Sequence, residues 1–404
     1  WTIELREALP KIVRPVILDG TTQPGYESSP VIRVSGVNLI NPPSGATSPY
    51  IHGFVLAAGS SSSTIRSLLI TDFMLGGGIA IEDSGNHQLL GNISRNNATG
   101  IQIAGTGGNL LRDNDMESNT SGLLIAAPGN QLINNAIQLN NGTGAKVTAS
   151  GGNLFQDNRI ASQPFGIGLV IDGSGGNLLQ GNQLEGNSGG LLTLSGNNQI
   201  VNNIIQDNFN LGGVSIGGLG GNTIQGNTIR GNRGLGGGIE VSGAGGNTIR
   251  GNQIQGNSEG LTIVSGDNRI TDNIIRNHAD ASGISIGGPG ANLIQGNQIF
   301  ANASGIVIRG ASNSSNTIGG TATNAGNVIA GNTTDGIVLD GAIRTLIQGN
   351  RIGFDASGSP SPNPRAGISL TGGANANTIG GTTAGARNAI GVQFHAAING
   401  ERLA

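Results

Sequence analysis

The sequence predicts an all-β fold in which short strands wind into a parallel β-solenoid of roughly 15 coils. Asn residues recur in triplets at five-residue intervals, and successive triplets start 21 to 25 residues apart along most of the middle of the chain. An apolar residue stands two positions after the first and the second Asn of each triplet. A helical repeat needs about 30 or more residues per unit, so this period is too short for one. The alternation of apolar and polar residues indicates strands instead.

Each coil is predicted to hold three strands. In the stretch "GNTIQGNTIRGN" the first strand surrounds Ile224 and the second surrounds Ile229. The third strand is the alternating segment "GIEV" at Gly238 to Val241. Strands of successive coils would pair about 4.8 Å apart. The inward apolar columns would then form one continuous core, in which each coil is stabilised by its neighbours.

The Asn triplets are predicted to form ladders along the stacked coils. A side-chain amide has both donors and an acceptor, so each Asn can bond the equivalent residue of the coils on either side. Asn also tolerates the left-handed backbone of a sharp corner. His87, Gln163 and His278 fall at the ladder interval and are expected to replace Asn there. The members most clearly indicated are Asn177, Asn182, Asn187, Asn222, Asn227, Asn232, Asn247, Asn252 and Asn257.

One continuous solenoid domain in three sections is predicted. Residues 1–54 form irregular coils with longer loops, residues 55–315 the regular shaft, and residues 316–404 coils with loop insertions. The terminal segments read as strands without a covering helix, and an uncovered solenoid end can pair with another chain. We therefore expect flanking domains of a longer chain, or end-to-end self-association into a filament.

Composition argues against several classes of function. The net charge is −3 and the only lysines are Lys11 and Lys146, so nucleic acid is not an expected partner. No run of eighteen apolar residues predicts a membrane span. The chain contains no Cys, and its His and carboxylate residues show no metal-ligand spacing, so neither a metal nor another cofactor is predicted.

No catalytic residue is predicted either. The outward position of the third strand carries Lys146 and Glu240, which are four coils apart, or roughly 19 Å. Candidates for contact with a glycan are aromatic residues that could stack on sugars and arginines that could pair with carboxylates. These candidates are Tyr26, Tyr50, Arg230, Arg233, Arg250 and Arg276.

The repeated pattern Asn-x-Ile-x-x-Asn-x-Ile resembles that of right-handed parallel β-helix repeat proteins along nearly the whole chain. The segments "DGTTQPGY" at Asp19 to Tyr26 and "NTIGGT" at Asn316 to Thr321 are similar to coils of large secreted bacterial β-helix proteins. The resemblance implies a right-handed solenoid that is exported or displayed at the cell surface. The wider superfamily includes polysaccharide lyases, uronate epimerases, phage tailspikes and non-enzymatic adhesins.

These observations favour an extracellular or cell-surface protein with a structural or adhesive role, within a longer surface protein or a filament. Two alternatives stay open. One is a polysaccharide lyase or uronate epimerase that acts on an acidic glycan. The other is a non-catalytic module that binds glycans.

Overall fold

The computed structural model describes residues 1–39, 51–148, 151–310, 315–391 and 396–400. Within these ranges the protein is an all-β parallel solenoid with three parallel sheets, which confirms the predicted fold class. Its only helical segments there are two single 3₁₀ turns, Val37–Leu39 and Ala384–Ala386. No helix of the described residues is long and apolar enough to cross a membrane.

Each regular coil gives one strand to each sheet. The strand after the first ladder Asn belongs to sheet C, the strand after the second to sheet A, and the strand after the third to sheet B. The chain divides into two compact units, Trp1–Asn198 and Gln199–Ala404. Each unit is described by itself below.

In the first unit all three sheets are parallel. Sheet A consists of β1 (Thr2–Glu4), β3 (Ile32–Ser35), β6 (Leu68–Thr71), β9 (Ile93–Arg95), β12 (Asp115–Glu117), β15 (Ala136–Gln138), β18 (Arg159–Ala161) and β21 (Gln183–Glu185). Sheet B consists of β4 (Phe54–Leu56), β7 (Gly77–Glu82), β10 (Thr99–Ala104), β13 (Ser121–Ile125), β16 (Ala145–Val147), β19 (Ile167–Ile171) and β22 (Gly189–Thr193). Sheet C consists of β2 (Ile17–Asp19), β5 (Thr64–Arg66), β8 (Gln88–Leu90), β11 (Leu110–Arg112), β14 (Gln131–Ile133), β17 (Leu154–Gln156) and β20 (Leu178–Gln180).

The second unit repeats this arrangement. Sheet A consists of β24 (Ile204–Gln206), β27 (Thr228–Arg230), β30 (Gln253–Gln255), β33 (Ile274–Arg276), β36 (Gln298–Phe300), β39 (Val328–Ala330), β42 (Arg351–Ile352) and β45 (Ala389–Ile390). Sheet B consists of β25 (Val214–Ile216), β28 (Ile239–Val241), β31 (Leu261–Ile263), β34 (Ile284–Ile286), β37 (Ile306–Arg309), β40 (Asp335–Asp340), β43 (Ala366–Thr371) and β46 (Ala396–Gly400). Sheet C consists of β23 (Gln199–Val201), β26 (Thr223–Gln225), β29 (Thr248–Arg250), β32 (Arg269–Thr271), β35 (Leu293–Gln295), β38 (Thr317–Gly319), β41 (Leu346–Gln348) and β44 (Thr378–Ile379).

About 12 turns are regular, which is slightly fewer than the predicted 15 coils. Strands β5 to β22 make six turns of three strands in the first unit, and β23 to β40 make six in the second. The coil of β2 to β4 is less regular because a long segment separates β3 from β4. Near the end of the chain, β42, β44 and β45 shorten to two residues each.

The core consists of apolar columns that run from coil to coil. In three-residue strands of sheets A and C the middle residue faces inward, as in the register-paired column Ile205, Ile229 and Ile254. In sheet B the first and third residues face inward, as Ile239 and Val241 do. This inversion leaves two outward residues per strand in sheets A and C, and one in the three-residue strands of sheet B.

The Asn ladders are present and buried, as predicted. Within the second unit, Asn227 accepts hydrogen bonds from the backbone N of Asn203 at 2.8 Å and from its Nδ2 at 3.0 Å. The Nδ2 of Asn227 donates to the carbonyl of Ile200 at 2.8 Å and to Oδ1 of Asn252 at 2.9 Å. Asn227 therefore bonds its ladder neighbours in both directions and also a strand carbonyl of the core.

One expectation about the corners is wrong. None of the described ladder asparagines has a positive φ angle; the residue directly before each of them often does. Asp113 before Asn114 has a φ of 57°, and Gly226 before Asn227 has a φ of 67°. The left-handed residue makes the turn, and the Asn that follows is then free to direct its amide into the ladder.

Candidate functional site

A row of guanidinium and amide groups lies on the outer surface of sheet A in the second unit. Register pairing places the third residues of five successive strands side by side. We call this set the arginine row, and it consists of Gln206, Arg230, Gln255, Arg276 and Phe300. Arg230 and Arg276 are two coils apart, which corresponds to about 10 Å along the sheet.

Neighbouring side chains fix the orientation of both guanidinium groups. Nε of Arg230 donates to Oε1 of Gln206 at 2.8 Å, and Nε of Arg276 donates to Oε1 of Gln255 at 3.0 Å. The guanidinium carbon of Arg276 also lies 5.8 Å from the ring centroid of Phe300, within the range of a cation–π contact. The terminal nitrogens of Arg230 and Arg276 have no hydrogen-bond partner in the described part of the chain. They are therefore available to a ligand.

The positive charge of this surface is not neutralised within the sheet. The other outward residues of these strands are apolar or uncharged, namely Ile204, Thr228, Gln253, Ile274 and Gln298. Neither Arg230 nor Arg276 forms an ion pair in the described ranges. The adjacent carboxylate, Asp207, lies in the corner at the edge of the sheet. The guanidinium groups of Arg230 and Arg276 are held in fixed orientations on a sheet face that carries no carboxylate. Such groups are suited to bind the carboxylates of a ligand bidentately.

The structure separates the six candidates that the sequence indicates. Arg230 and Arg276 share the arginine row, whereas Arg250 is in sheet C, where it pairs with Thr271 of the next coil. Arg233 is exposed in the turn after β27. Tyr26 belongs to the first unit, where its hydroxyl lies 3.2 Å from Oγ of Ser67. Tyr50 lies outside the described residues.

The sheet A face of the first unit is also charged, but its cations are paired. Arg159 contacts Glu185 at 2.7 Å, and Arg95 contacts Glu117 at 3.5 Å. Asp115 lies between these pairs, and its burial, together with the charge of Glu117, raises its pKa to about 6. Asp115 and Arg159 are not predicted from the repeat, because each is the first residue of its strand and the outward candidates are third residues. The first residue faces outward too, as the inward middle residue requires.

His87 and Gln163, two of the three residues predicted to replace Asn in the ladders, form hydrogen bonds to their neighbours there. Nδ1 of His87 accepts from the backbone N of Ser63 at 3.2 Å, and its Nε2 lies 2.9 Å from Oγ of Ser84. Oε1 of Gln163 accepts from the backbone N of Asn140 at 2.8 Å. Both side chains occupy ladder positions. Each accepts a hydrogen bond from a backbone N–H of the preceding coil, as the side chain of an Asn would.

His278 fills its ladder position less well. Its Nδ1 lies 3.1 Å from the carbonyl oxygen of Asn257, so this nitrogen donates and offers Asn257 no acceptor. Its Nε2 is buried and has no hydrogen-bond partner among the described residues. Burial lowers the pKa of His278. This residue is therefore a weak point of the third ladder.

Replacing His278 by Asn should raise the free energy of unfolding by about 1 kcal/mol at neutral pH, because the missing acceptor is restored. The gain should grow below about pH 6.5, since the unfolded chain protonates its His while the buried ring resists protonation. Thermal unfolding between pH 5 and 8 measures this. His87→Asn is the control and should bring no gain at neutral pH, because it breaks the contact with Ser84. A loss of stability in His278→Asn, or a gain independent of pH, would contradict the assignment.

Two family models match parts of the chain. Residues 27–189 match the family described as periplasmic copper-binding protein (NosD), and residues 167–322 match the right handed beta helix region. No curated protein sequence matches the chain significantly.

Three solved structures with a similar course of the chain are distant in sequence. The Dettilon tailspike protein is 15% identical with a TM-score of 0.39, and the match covers 86% of this chain and 62% of the tailspike. The A-module of mannuronan C-5 epimerase AlgE6 from Azotobacter vinelandii is 14% identical with a TM-score of 0.28, covering 88% and 85%. PfbA, a surface adhesin of Streptococcus pneumoniae, is 10% identical with a TM-score of 0.33, covering 76% and 86%. The match of residues 167–322 to the right handed beta helix region agrees with the parallel solenoid of the structure and supports a right-handed β-helix repeat protein.

Proposed function

We propose that this β-helix is a structural and adhesive protein outside the cytoplasm, and that its arginine row binds an acidic polysaccharide. The observation that carries the proposal is the pair Arg230 and Arg276. Both are held in place by Gln side chains, both lack an ion-pair partner in the described chain, and both stand on a sheet face without acids. Carboxylates are the groups that such forked donors bind best.

A polymer fits this surface better than a small ligand. The row presents similar groups at a fixed interval on a flat sheet, with no enclosing wall, so a single sugar would touch only one cation. A polyuronate carries a carboxylate on each sugar and can meet both arginines with one chain. Gln206 and Gln255 add donors and acceptors for hydroxyl groups, and Phe300 adds an apolar surface.

The rest of the fold suits a scaffold. The ladder amides bond one another inside the protein, and the apolar columns are almost fully buried. An array of binding groups needs such a stiff support, because a rigid site loses less conformational entropy on binding.

The location outside the cytoplasm draws support from the periplasmic family that matches residues 27–189. The copper binding in that family's description does not fit the residues seen here. The described ranges contain no group of three or more His, Cys, Asp or Glu residues that could hold a metal ion. His87 and His278 are buried within the ladders. Copper therefore has no part in the proposal.

The alternative of a lyase or uronate epimerase would rest on the first unit. Such chemistry needs a base and a cation close to one uronate. Asp115 has a raised pKa, but Arg95 and Arg159 beside it are engaged by Glu117 and Glu185. We prefer the binding function because the cations of the arginine row have no such partners.

Replacing both Arg230 and Arg276 by Gln should weaken binding to polygalacturonate at least tenfold, or about 1.4 kcal/mol. Gln keeps hydrogen-bonding groups and removes the charge. Isothermal titration or affinity electrophoresis measures the loss, and binding of the wild type should weaken as salt is added.

The matched control is the double variant Arg250→Gln with Arg269→Gln. It removes the same charge from the same unit but from sheet C, so binding should be nearly unchanged. If both double variants weaken binding equally, general electrostatics and not the arginine row would be responsible. If neither weakens binding, the proposed site is wrong.

A further inference from the structure

A cleft of about 560 Å³ lies in the first unit, at the corner between sheets A and B. Its shape follows from loop lengths in four successive coils. The two middle coils turn this corner in three residues, 96–98 and 118–120, whereas the flanking coils use residues 72–76 and 139–144. The longer loops rise on either side of the short turns, and a depression remains between them.

The floor of the cleft consists of polar side chains that form no hydrogen bonds to other described residues. Asn96, Ser118, Thr120 and Asn141 line it, and all four are exposed. Their side chains make no hydrogen bond to any described residue, unlike the buried ladder residues Asn97 and Asn119 beneath them. The folded chain therefore leaves a set of amide and hydroxyl groups free at this floor.

The two walls are apolar. Met74 is 55% exposed and Leu139 is 56% exposed, and they stand on opposite sides of the floor. Leu139 has a φ of 56°, in the left-handed region that large apolar residues avoid. The equivalent corner positions of this unit hold Asn96, Ser118, Ser162 and Gly186. Leu139 thus combines a strained backbone with an exposed apolar side chain. Neither feature stabilises the folded protein.

We propose that this cleft binds a neutral oligosaccharide. A sugar ring has apolar C–H faces and a rim of hydroxyl groups, which match the apolar walls and the free polar floor. Asp72 is the only charged residue among the described residues that line the cleft, and its Oδ2 accepts from Arg33 and Ser35 at 2.7 Å each. Arg33 thus compensates the charge of Asp72, and no cation is among the described residues that line the cleft, so the carboxylates of an acidic chain would find no partner there. The site is thereby chemically distinct from the arginine row and does not depend on it.

The test titrates the full chain with hexasaccharides of the cello-, malto-, xylo- and chito-series. At least one should bind to the wild type. Leu139→Gly should weaken that binding at least tenfold and raise the melting temperature, because Gly relieves the left-handed strain and removes an exposed apolar side chain. Thr120→Val, which replaces one floor hydroxyl by a methyl group of similar size, should also weaken binding without unfolding the protein.

Leu194→Ala is the control, since Leu194 is an exposed apolar residue of the same unit that does not line the cleft. It should leave the oligosaccharide affinity unchanged, and polygalacturonate binding should be the same in all these variants. The proposal is overturned if no hexasaccharide of the panel binds, or if Leu139→Gly and Thr120→Val both bind as well as the wild type. It is also overturned if an acidic hexasaccharide proves to be the ligand of the cleft.

Discussion

Replacing Ile229 by Asp should lower the free energy of unfolding by roughly 4 kcal/mol or more, so that the second unit no longer folds stably. Ile229 has no exposed surface and stands between Ile205 and Ile254 in the inward column of sheet A. The variant loses the burial of a large apolar side chain and places a carboxyl group where no partner is available. Protonation of the Asp removes the charge but leaves a polar group without a hydrogen bond.

The effect should reach beyond one coil. Each coil of a solenoid is stabilised mainly by its two neighbours, so a coil that cannot pack exposes the strands on both sides. Urea unfolding followed by circular dichroism measures the change. Gln253→Asp is the control, because Gln253 is an exposed neighbour of Thr228 in the same sheet. It should alter stability by less than about 0.5 kcal/mol. Equal stability of Ile229→Asp and Gln253→Asp would show that this column is not the core.

Replacing Asn227 by Ala should cost about 3 kcal/mol. The repeat pattern alone suggests about 1 kcal/mol, the value of a single hydrogen-bonded link. The structure shows four bonds to the side chain of Asn227, and its removal leaves the buried backbone N of Asn203 without an acceptor and takes a donor from the carbonyl of Ile200. Unsatisfied buried groups cost about 1–3 kcal/mol each, which sets the larger estimate.

The shift in the midpoint of urea unfolding tests this expectation. Gln225→Ala serves as the control: Gln225 lies two residues away, faces outward and makes no side-chain hydrogen bond to a described residue. It should shift the midpoint little. A shift for Asn227→Ala no larger than that of the control would mean that the ladder is not a main source of stability.

The sequence predicts the inner surface of this protein well because the inner surface repeats. Ile224 and Ile229 are inward, and Asn222 and Asn227 are in buried ladders, since every coil must place the same residue type at these points. The outer surface has no such constraint. Whether an outward Arg meets a Gln or a Glu on the next coil depends on the exact strand register and on coil lengths that vary from turn to turn.

The placement of the arginines illustrates this difference. Arg230 and Arg276 each follow the second Asn of a triplet by three residues, whereas Arg250 follows a first Asn by three. The position of an Arg within its triplet therefore already predicts that Arg250 lies in a different sheet from Arg230 and Arg276. Grouping the arginines by their closeness along the chain overlooks this position. The cleft beside Leu139 was not predicted because it arises from differences in loop length between coils, and the left-handed φ of Leu139 follows only from the corner geometry.

The most direct test of the account titrates the wild-type chain with polygalacturonate and with a neutral galactan of similar length at low salt. We expect saturable binding of the acidic polymer that weakens as salt is added, and much weaker binding of the neutral polymer outside the cleft of the first unit. Binding of polygalacturonate that does not weaken as salt is added, or no binding of polygalacturonate, would contradict the claim that the arginine row binds acidic polysaccharide.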